Sequence, residues 1–366
     1  MLIKRNQEMQ EQNIEKKIRA KFSKALLKWN REVNDRSMPW KGERDPYKIW
    51  LSEIILQQTR VEQGWSYYER FAKTFPTIKD LAAAPEQQVF KLWEGLGYYS
   101  RCRNLIATAK YIAEEYKGVF PKTYEEILSL KGVGPYTAAA IASFAYNLPY
   151  SVLDGNVFRV LSRILDIETP IDTTEGKNLF SGVAQNILPK KEAGEYNQAL
   201  MDFGATVCKP LPECAHCFFK KDCQAFSLHK QQALPVKEKK MVIKERWLNY
   251  FVLRHKKKIA ICERREKDVW QNLYEFLLLE TDRKPNIKNL FAQLEKNYAI
   301  SKTDFNIVKE AQLSQRLSHQ LIHFIFITLE LSEERQIDDM YWVDSNNLEQ
   351  YPLPKTLQSL LQKQQV

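Results

Sequence analysis

The stretch SLKGVGPYTAAAI, Ser129–Ile141, constrains this chain more than any other. The run YEEILSL ends one helix at Leu130, and TAAAIASFAY makes another. Between them stand Gly132, Gly134 and Pro135. Gly132 and Gly134 permit positive φ and a close approach of another backbone. Pro135 suits the first turn of the second helix. The tip therefore offers free backbone N–H groups at the positive end of a helix dipole, a setting that holds a phosphate well. An ordinary αα-hairpin with a glycine turn has the same shape, so the turn alone leaves both readings open.

Helical periodicity dominates the flanks of this hairpin. Ile18, Phe22, Ala25, Leu26 and Trp29 place one amphipathic helix over 14–29. Asp45-Pro46 reads as an N-cap followed by Pro at the first helical position, leading into YKIWLSEIILQQT. Further helical windows fall near 65–75, 86–94, 101–116, 123–130, 135–146, 155–165, 175–187 and 194–207. Strand-like alternation is nearly absent before Cys223, so this first part is expected to be all-α. The basic, Pro-containing run LPVKEKKMVIKER (234–246) reads as a linker. Beyond it, WLNYFVLR and KIAICER are strand-like runs joined by a turn at His255-Lys256-Lys257, and FNIVKEA and HQLIHFIFITLEL are also strand-like. PNIKNLFAQLEKNY and LPKTLQSLLQKQ read as helices, so the second part is α+β. The expected division is a lead-in over 1–20, an all-α domain over 21–225, a linker over 226–246 and an α+β domain over 247–366.

The net charge of +10 favours a polyanionic partner, with nucleic acid first. No window has the apolar length needed to span a bilayer. The opening MLIKRNQEMQEQNIEKK lacks the apolar middle of a signal peptide, which sets the expectation of a cytoplasmic protein. Four of the six cysteines crowd into CKPLPECAHCFFKKDC, with the spacing C-x5-C-x2-C-x5-C. In a cytosolic chain such a cluster suggests a metal site rather than disulfides. Zinc is the plain reading, although four-cysteine zinc sites usually space two close pairs across a longer loop.

LKGVGPYTA, followed shortly by VLDGNVFRVLSR, resembles the helix-hairpin-helix DNA glycosylase superfamily, with Asp154 in the position of its catalytic aspartate. Bifunctional members carry a lysine where this chain has Tyr136, and tyrosine cannot form a Schiff base. From Phe22 onward the chain is similar to the adenine DNA glycosylases of the MutY type. The resemblance implies base-excision hydrolysis of the N-glycosidic bond of adenine mispaired with 8-oxoguanine or guanine in double-stranded DNA, without an efficient lyase step. It also implies a monomer working on the nucleoid. An endonuclease III-like glycosylase/lyase for oxidised pyrimidines is the alternative that Tyr136 and the second domain count against. A non-catalytic DNA clamp is the alternative that Glu53 and Asp154 count against.

Breaking an adenine–sugar bond needs a proton for the leaving purine and negative charge for the cationic sugar. Glu53 sits among Ile49, Trp50, Leu56 and Gln57 on a helix, and an apolar setting raises a carboxyl pKa. Asp154 precedes Gly155-Asn156 at a helix start, where the dipole favours the ionised form. Taken singly these read as a partly exposed helix Glu and a plain N-cap. The resemblance makes Glu53 the general acid and Asp154 the charge facing the sugar, with Tyr136 and Asn156 beside them. It places Arg36 and Trp40, from DRSMPW, in the adenine pocket. It places Gln58, from LQQT, and Tyr98, from GLGYYSR, in the DNA stack, where a gap left by base extrusion must be filled.

By the same resemblance Cys208, Cys214, Cys217 and Cys223 ligate a [4Fe-4S] cluster, with a first spacing one residue shorter than the family's. Lys209, Lys220 and Lys221 are then candidates for phosphate contacts. No glutamate-rich Nudix signature follows Trp247, so the second domain resembles the non-hydrolytic, Nudix-like domain of adenine glycosylases. In QRLSHQ, Ser318 and His319 match a loop that reads 8-oxoguanine, and Leu317 replaces its usual Phe.

Overall fold

The structure, a computed structural model, describes residues 21–238, 243–317 and 320–364. They form two compact units, residues 21–83 with 104–238 and residues 84–103 with 243–364. Both follow the two textures of the sequence: helices first, then a mixed sheet with helices.

The first half of the chain carries helices α1 (21–32), α2 (Pro46–Leu56), α3 (Val61–Thr74), α4 (Ile78–Ala83), α5 (Glu86–Trp93) and α6 (Tyr99–Glu115). It continues with α7 (Tyr124–Ser129), α8 (Pro135–Tyr146), α9 (Gly155–Leu165), α10 (Thr174–Ile187), α11 (Ala193–Thr206) and the single turn α12 (Gln224–Ser227). Helix α5 and the start of α6 group with the second unit. The short helices α4 and α12 were not expected, because four to six residues are too few to show a helical period.

Local chemistry sets the helix ends. Asp45 accepts a hydrogen bond from the Tyr47 N–H, with Pro46 in the first turn of α2. Thr123 and Glu126 close a reciprocal capping box on α7. Helix α8 begins at Gly134-Pro135 and ends on Asn147 in the left-handed conformation.

The alanines of α8 explain how this unit packs. Ala138 to Ala142 are buried with Ile141, and their small side chains let α2 and α11 lie against α8. Gly194 of α11 faces the Ser143 carbonyl so closely that a Cβ there would stand 2.5 Å from it. Phe22 and Leu26 of α1, Val160 and Ile164 of α9, Phe180 of α10, and Leu200 and Phe203 of α11 complete the core. Phe219, from the cysteine run, packs edge-on against Phe22 with ring centroids 5.0 Å apart.

The second unit is built on strands β1 (Lys244–His255), β2 (Lys258–Glu263), β3 (Tyr274–Glu275), β4 (Leu277–Thr281), β5 (Phe305–Arg316), β6 (Gln320–Leu331) and β7 (Met340–Asp344). Helices α13 (Ile287–Tyr298) and α14 (Lys355–Gln364) accompany them. The sheet order is β3-β2-β1-β6-β5, with β4 on β1 and β7 on β2. The central β1/β6 pair is parallel, so Tyr250 to Leu253 and Phe324 to Ile327 are buried. Strand β5 runs on past FNIVKEA to Arg316, because β6 pairs with it as far as Arg316–Leu321. Strands β3, β4 and β7 were not expected, being short or flanked by polar residues. A buried ladder of charge ties the loop after β2 to the sheet. Arg246 binds Asp268 and Glu280, Arg264 binds Asp268 and Glu275, and the Tyr250 hydroxyl donates to Glu275 at 2.9 Å. No helix among the described residues is long and apolar enough to cross a membrane.

Gly204, in the last turn of α11, meets α9 where a Cβ would stand 2.7 Å from the Asn156 Cβ. Gly204→Ala should therefore separate α11 from α9 and lower unfolding stability by about 1–3 kcal/mol, the usual cost of overpacking. An unchanged urea midpoint would show that the contact yields freely.

Candidate active site

One cavity of about 480 Å³ gathers most of the candidate residues of the first unit. Arg36, Trp40, Glu53, Gln58, Tyr136, Asp154 and Asn156 all line it. They come from the α1–α2 loop, α2 and its C-terminal turn, the first turn of α8, and the head of α9.

Helix α2 is buried from Ile49 to Ile55, so Glu53 is enclosed by hydrocarbon and only 6% exposed. Burial pushes its carboxyl up to about 7. A hydrogen bond with the Tyr136 hydroxyl pulls the other way, and the nearby Asp154 charge adds to the rise. Tyr136 reaches this carboxyl because Pro135 starts α8 one residue earlier, and its hydroxyl also stands 3.9 Å from the Met201 sulfur. Burial and the two carboxylates push the Tyr136 phenol well above its usual range, so it stays a donor.

Asp154 is the N-cap of α9, as the sequence suggested. Its Oδ1 accepts from the Val157 N–H at 2.7 Å, and its Oδ2 accepts from Asn156 Nδ2 at 2.7 Å. Its proton affinity does not rest on the helix start alone. Burial outweighs these bonds and the Arg159 charge, and the carboxyl lies above its ordinary range. The backbone and side-chain bonds restrain Asp154 more than the single Tyr136 bond restrains Glu53. Arg159 then braces Asn156. Its Nη2 donates to Asn156 Oδ1 and to the Gly204 carbonyl, each at 2.8 Å, and its Nε donates to the Cys208 carbonyl at 2.8 Å.

Arg36 and Trp40 form the wall on the loop side. Arg36 Nη1 donates to Asp202 Oδ1 at 2.8 Å, and Trp40 stands edge-on to Tyr68 with centroids 5.3 Å apart. The sequence reading missed Met38, Leu56, Val61, Gln198 and Met201, which line the same cavity. It also missed a second cavity of about 300 Å³ that shares Trp40, Glu53 and Gln198 with the first. Gln198 and Met201 lie on α11 opposite its core-facing Ala199, Leu200 and Phe203, so their period was the only available signal.

Of the candidates for DNA contact, only Gln58 is among the residues lining this cavity. Gln58 is exposed and holds φ +55°, a left-handed conformation that costs a non-glycine residue energy. Tyr98 belongs to the second unit, is 39% exposed and holds φ +49°. Gly132 has φ +80°, and a Cβ there would meet Asn104 at 2.7 Å. Gly134 caps α8 without a side-chain hydrogen bond, and the space its Cβ would take is open. Ser318 and His319 lie outside the described residues.

Cys208, Cys214, Cys217 and Cys223 line one small cavity with Phe203, Phe219 and Phe226. Arg163 Nη1 stands 3.5 Å from the Cys208 sulfur, and backbone N–H groups of Phe219 and Phe226 point at the sulfurs of Cys217 and Cys223. Burial nonetheless outweighs these donors and pushes the Cys208, Cys217 and Cys223 thiols up. Among the described residues, no three of His, Cys, Asp or Glu converge closely enough to hold a single metal ion.

Comparison with known proteins accords with this arrangement. Residues 51–184 match the family model for HhH-GPD superfamily base excision DNA repair proteins, and residues 249–363 match that for the NUDIX domain. An adenine DNA glycosylase of Buchnera aphidicola subsp. Baizongia pistaciae is 33% identical over 349 residues, covering 93% of this chain and 96% of that protein. The adenine DNA glycosylase of Homo sapiens is 40% identical over 223 residues, covering 58% of this chain and 41% of that protein. Among solved structures, a thermostable thymine-DNA glycosylase superposes with a TM-score of 0.53 at 27% identity, covering 58% of this chain and 98% of that one.

The raised Glu53 carboxyl has a consequence for folding. With the ordinary value of 4.5 in the unfolded chain and about 7 in the folded one, the folded state binds the proton more tightly. The stability this gives is fully present below 4.5 and is lost as pH rises through 7. Glu53→Gln should escape that loss. It should match wild type in stability near pH 4 and exceed it by up to about 3 kcal/mol at pH 8. Equal denaturation midpoints at pH 8 would mean that Glu53 ionises without penalty.

Proposed function

The chain belongs to the adenine DNA glycosylases, the base-excision repair enzymes that cleave adenine from DNA, and from that premise we propose that it acts on adenine paired with 8-oxoguanine, and also with guanine, as a monofunctional hydrolase. The observation that carries this reading is the buried Glu53 carboxyl, raised to about 7, on the wall of a cavity that Asp154 also lines. An adenine nucleotide extruded from the duplex enters between Trp40, Arg36 and the α2 wall. Glu53 donates its proton to a ring nitrogen of the base. The bond between base and sugar then breaks, and its electron pair leaves with the adenine. Asp154, oriented by the Asn156 amide, sets its negative charge against the cationic sugar or bonds to it. Water completes the abasic product, and the proton it loses restores Glu53. Tyr136 holds the Glu53 carboxyl in place throughout.

The cavity's composition supports the absence of a lyase step. Tyr136 stands where a Schiff-base amine would be needed, and no lysine is among the residues lining the cavity. The ammonium of Lys41, which lines the second cavity, is paired with Asp202 at 3.0 Å. It would act as a monomer, on the nucleoid where the substrate lies. The open space at Gly134 and the uncapped start of α8 suit a DNA phosphate. Gln58 and Tyr98, both exposed and both held in strained backbone, suit insertion into the stack.

Recognition of 8-oxoguanine is assigned to the second unit and to Ser318 and His319. Support comes from a cavity of about 520 Å³ within that unit, lined by Tyr98, Arg316 and Leu317. Cys208, Cys214, Cys217 and Cys223 would hold a [4Fe-4S] cluster. That all four cysteines line one cavity supports a shared centre. Bound there, the cluster would serve structurally, joining the loop to α9 and α11.

Single-turnover assays on an adenine–8-oxoguanine duplex test the chemistry. Wild type should release adenine and leave strands that break only after alkali. Glu53→Gln and Asp154→Asn should each slow release at least about a hundredfold while retaining duplex binding. Strand breakage without alkali, with borohydride trapping of enzyme on DNA, would contradict the monofunctional reading. Separately, protein purified under argon should contain iron and inorganic sulfide and absorb broadly in the visible. Zinc without iron would overturn the cluster.

A further inference from the structure

The turn between α7 and α8 is held from two sides. Its own hydrogen bond runs from the Val133 N–H to the Leu130 carbonyl at 3.1 Å. Behind it, the buried Thr108 of α6 donates its hydroxyl to the Lys131 carbonyl at 2.9 Å. The next carbonyl, that of Gly132, belongs to a different helix. Gln57, the C-cap of α2, donates its Nε2 to Gly132 O at 3.5 Å and to Thr137 Oγ1, in the first turn of α8, at 3.3 Å. Two successive carbonyls of one turn are thus tied to α6 and to α2. The proposed chemistry leaves Gln57 without a role, although it is half-buried and lines the same cavity as Glu53 and Asp154.

Gln57 is also the residue before Gln58. The backbone that leaves α2 folds into a tight turn, with the Thr59 N–H donating to the Leu56 carbonyl at 3.0 Å. Inside that turn Gln58 holds φ +55°. A residue with a side chain keeps such a backbone only where its surroundings over-determine it. The Leu56–Thr59 bond fixes the shape of the turn. The Gln57 amide fixes its place against the hairpin. Gln58 is therefore exposed at a set distance from Gly132 and Gly134, where a DNA phosphate is proposed to sit.

We propose that Gln57 is a positioning residue that locks the Gln58 turn to the hairpin, so that the grip on the DNA backbone sets Gln58 in register with the gap left by the extruded base. This rests on the reading of the hairpin as the phosphate grip and of Gln58 as the side chain that enters the stack. Without the Gln57 amide the hairpin keeps its shape, because Thr108 and the Leu130–Val133 bond still hold it. Duplex affinity then persists. The Gln58 turn loses its tie, its strained backbone is populated less, and base extrusion fails before binding does.

The test compares wild type, Gln57→Leu, Gln58→Ala and the double variant. Extrusion is read from the fluorescence of 2-aminopurine placed where the adenine stands opposite 8-oxoguanine, excision from single-turnover adenine release, and affinity from gel shift. Gln57→Leu should lower both the fluorescence rise and the excision rate by about tenfold, the scale of one lost hydrogen bond, with duplex affinity retained. In the Gln58→Ala background the same change should cost less than about twofold, because the residue through which it acts is gone. An equal loss in both backgrounds would mean that Gln57 serves the fold or the cavity directly, and it overturns the proposal, as does a Gln57→Leu variant with wild-type extrusion. Should Gln57→Leu fail to fold, Thr137→Val, which removes the nearer acceptor and keeps Gln57, decides by the same comparison. Wild type inert on adenine would instead overturn the reading of the cavity, and the fluorescence would still decide the role of Gln57.

Discussion

A carboxylic acid enclosed by hydrocarbon on the buried face of α2 is the constraint on which the rest of the site turns. Glu53 reaches about 7 chiefly through burial, on a helix where Ile49, Trp50, Leu51, Ile54 and Ile55 are buried with it. That burial depends on α8 lying flat against α2, which the run of alanines from Ala138 to Ala140 permits. The hairpin that begins α8 then fixes where Tyr136 emerges, and Tyr136 supplies the hydrogen bond that holds the acid. On the far side, close contact of α11 with α8 at Gly194 and with α9 at Gly204 brings Asp154 and Asn156 to the same cavity. The helix packing that builds the core and the electrostatics of the proposed acid are thus consequences of the same small residues. A water-filled gap between α2 and α8 would return Glu53 toward its ordinary range and remove the proton that the proposed mechanism needs.

The proposed division of labour between the two carboxyls follows from their surroundings. Both are pushed up by burial, so burial alone does not separate them. Backbone and amide donors do. Asp154 sits at a helix head, where Val157 and Asn156 supply hydrogen bonds by virtue of the fold, whereas Glu53 lies in mid-helix, where backbone donors are already taken. A mid-helix acid and a cap acid facing one cavity therefore meet different sets of donors without any further device.

Much of this was legible in the sequence, for reasons that can be named. Helices α8 and α9 match the expected 135–146 and 155–165 because Pro135 and Asp154 start them and left-handed Asn147 and Asp166 end them. Glu53 was legible because its apolar neighbours are local. The rise in Asp154 was not, since a helix dipole is a local signal and burial is a tertiary one. Gln198 carried only its helical period, and Asp202 carried no signal at all. A polar pair four apart on a helix usually faces solvent, and only the folding of the 34–41 loop onto α11 makes it interior. The grouping of residues 84–103 with the second unit is likewise long-range, resting on contacts such as the Leu353 N–H to Glu94 at 2.9 Å and Arg103 Nη1 to the Gln271 carbonyl at 2.8 Å.

The central claim is that burial, helped by the nearby Asp154 charge, keeps Glu53 protonated up to about pH 7 before any DNA is bound. Infrared difference spectroscopy of the free protein, wild type minus Glu53→Gln, reads this directly through the carbonyl stretch of a protonated carboxyl. The account predicts a band present at pH 6 that disappears with a midpoint at about 7. A band that is already gone at pH 6, with a midpoint near the ordinary 4.5, would contradict it.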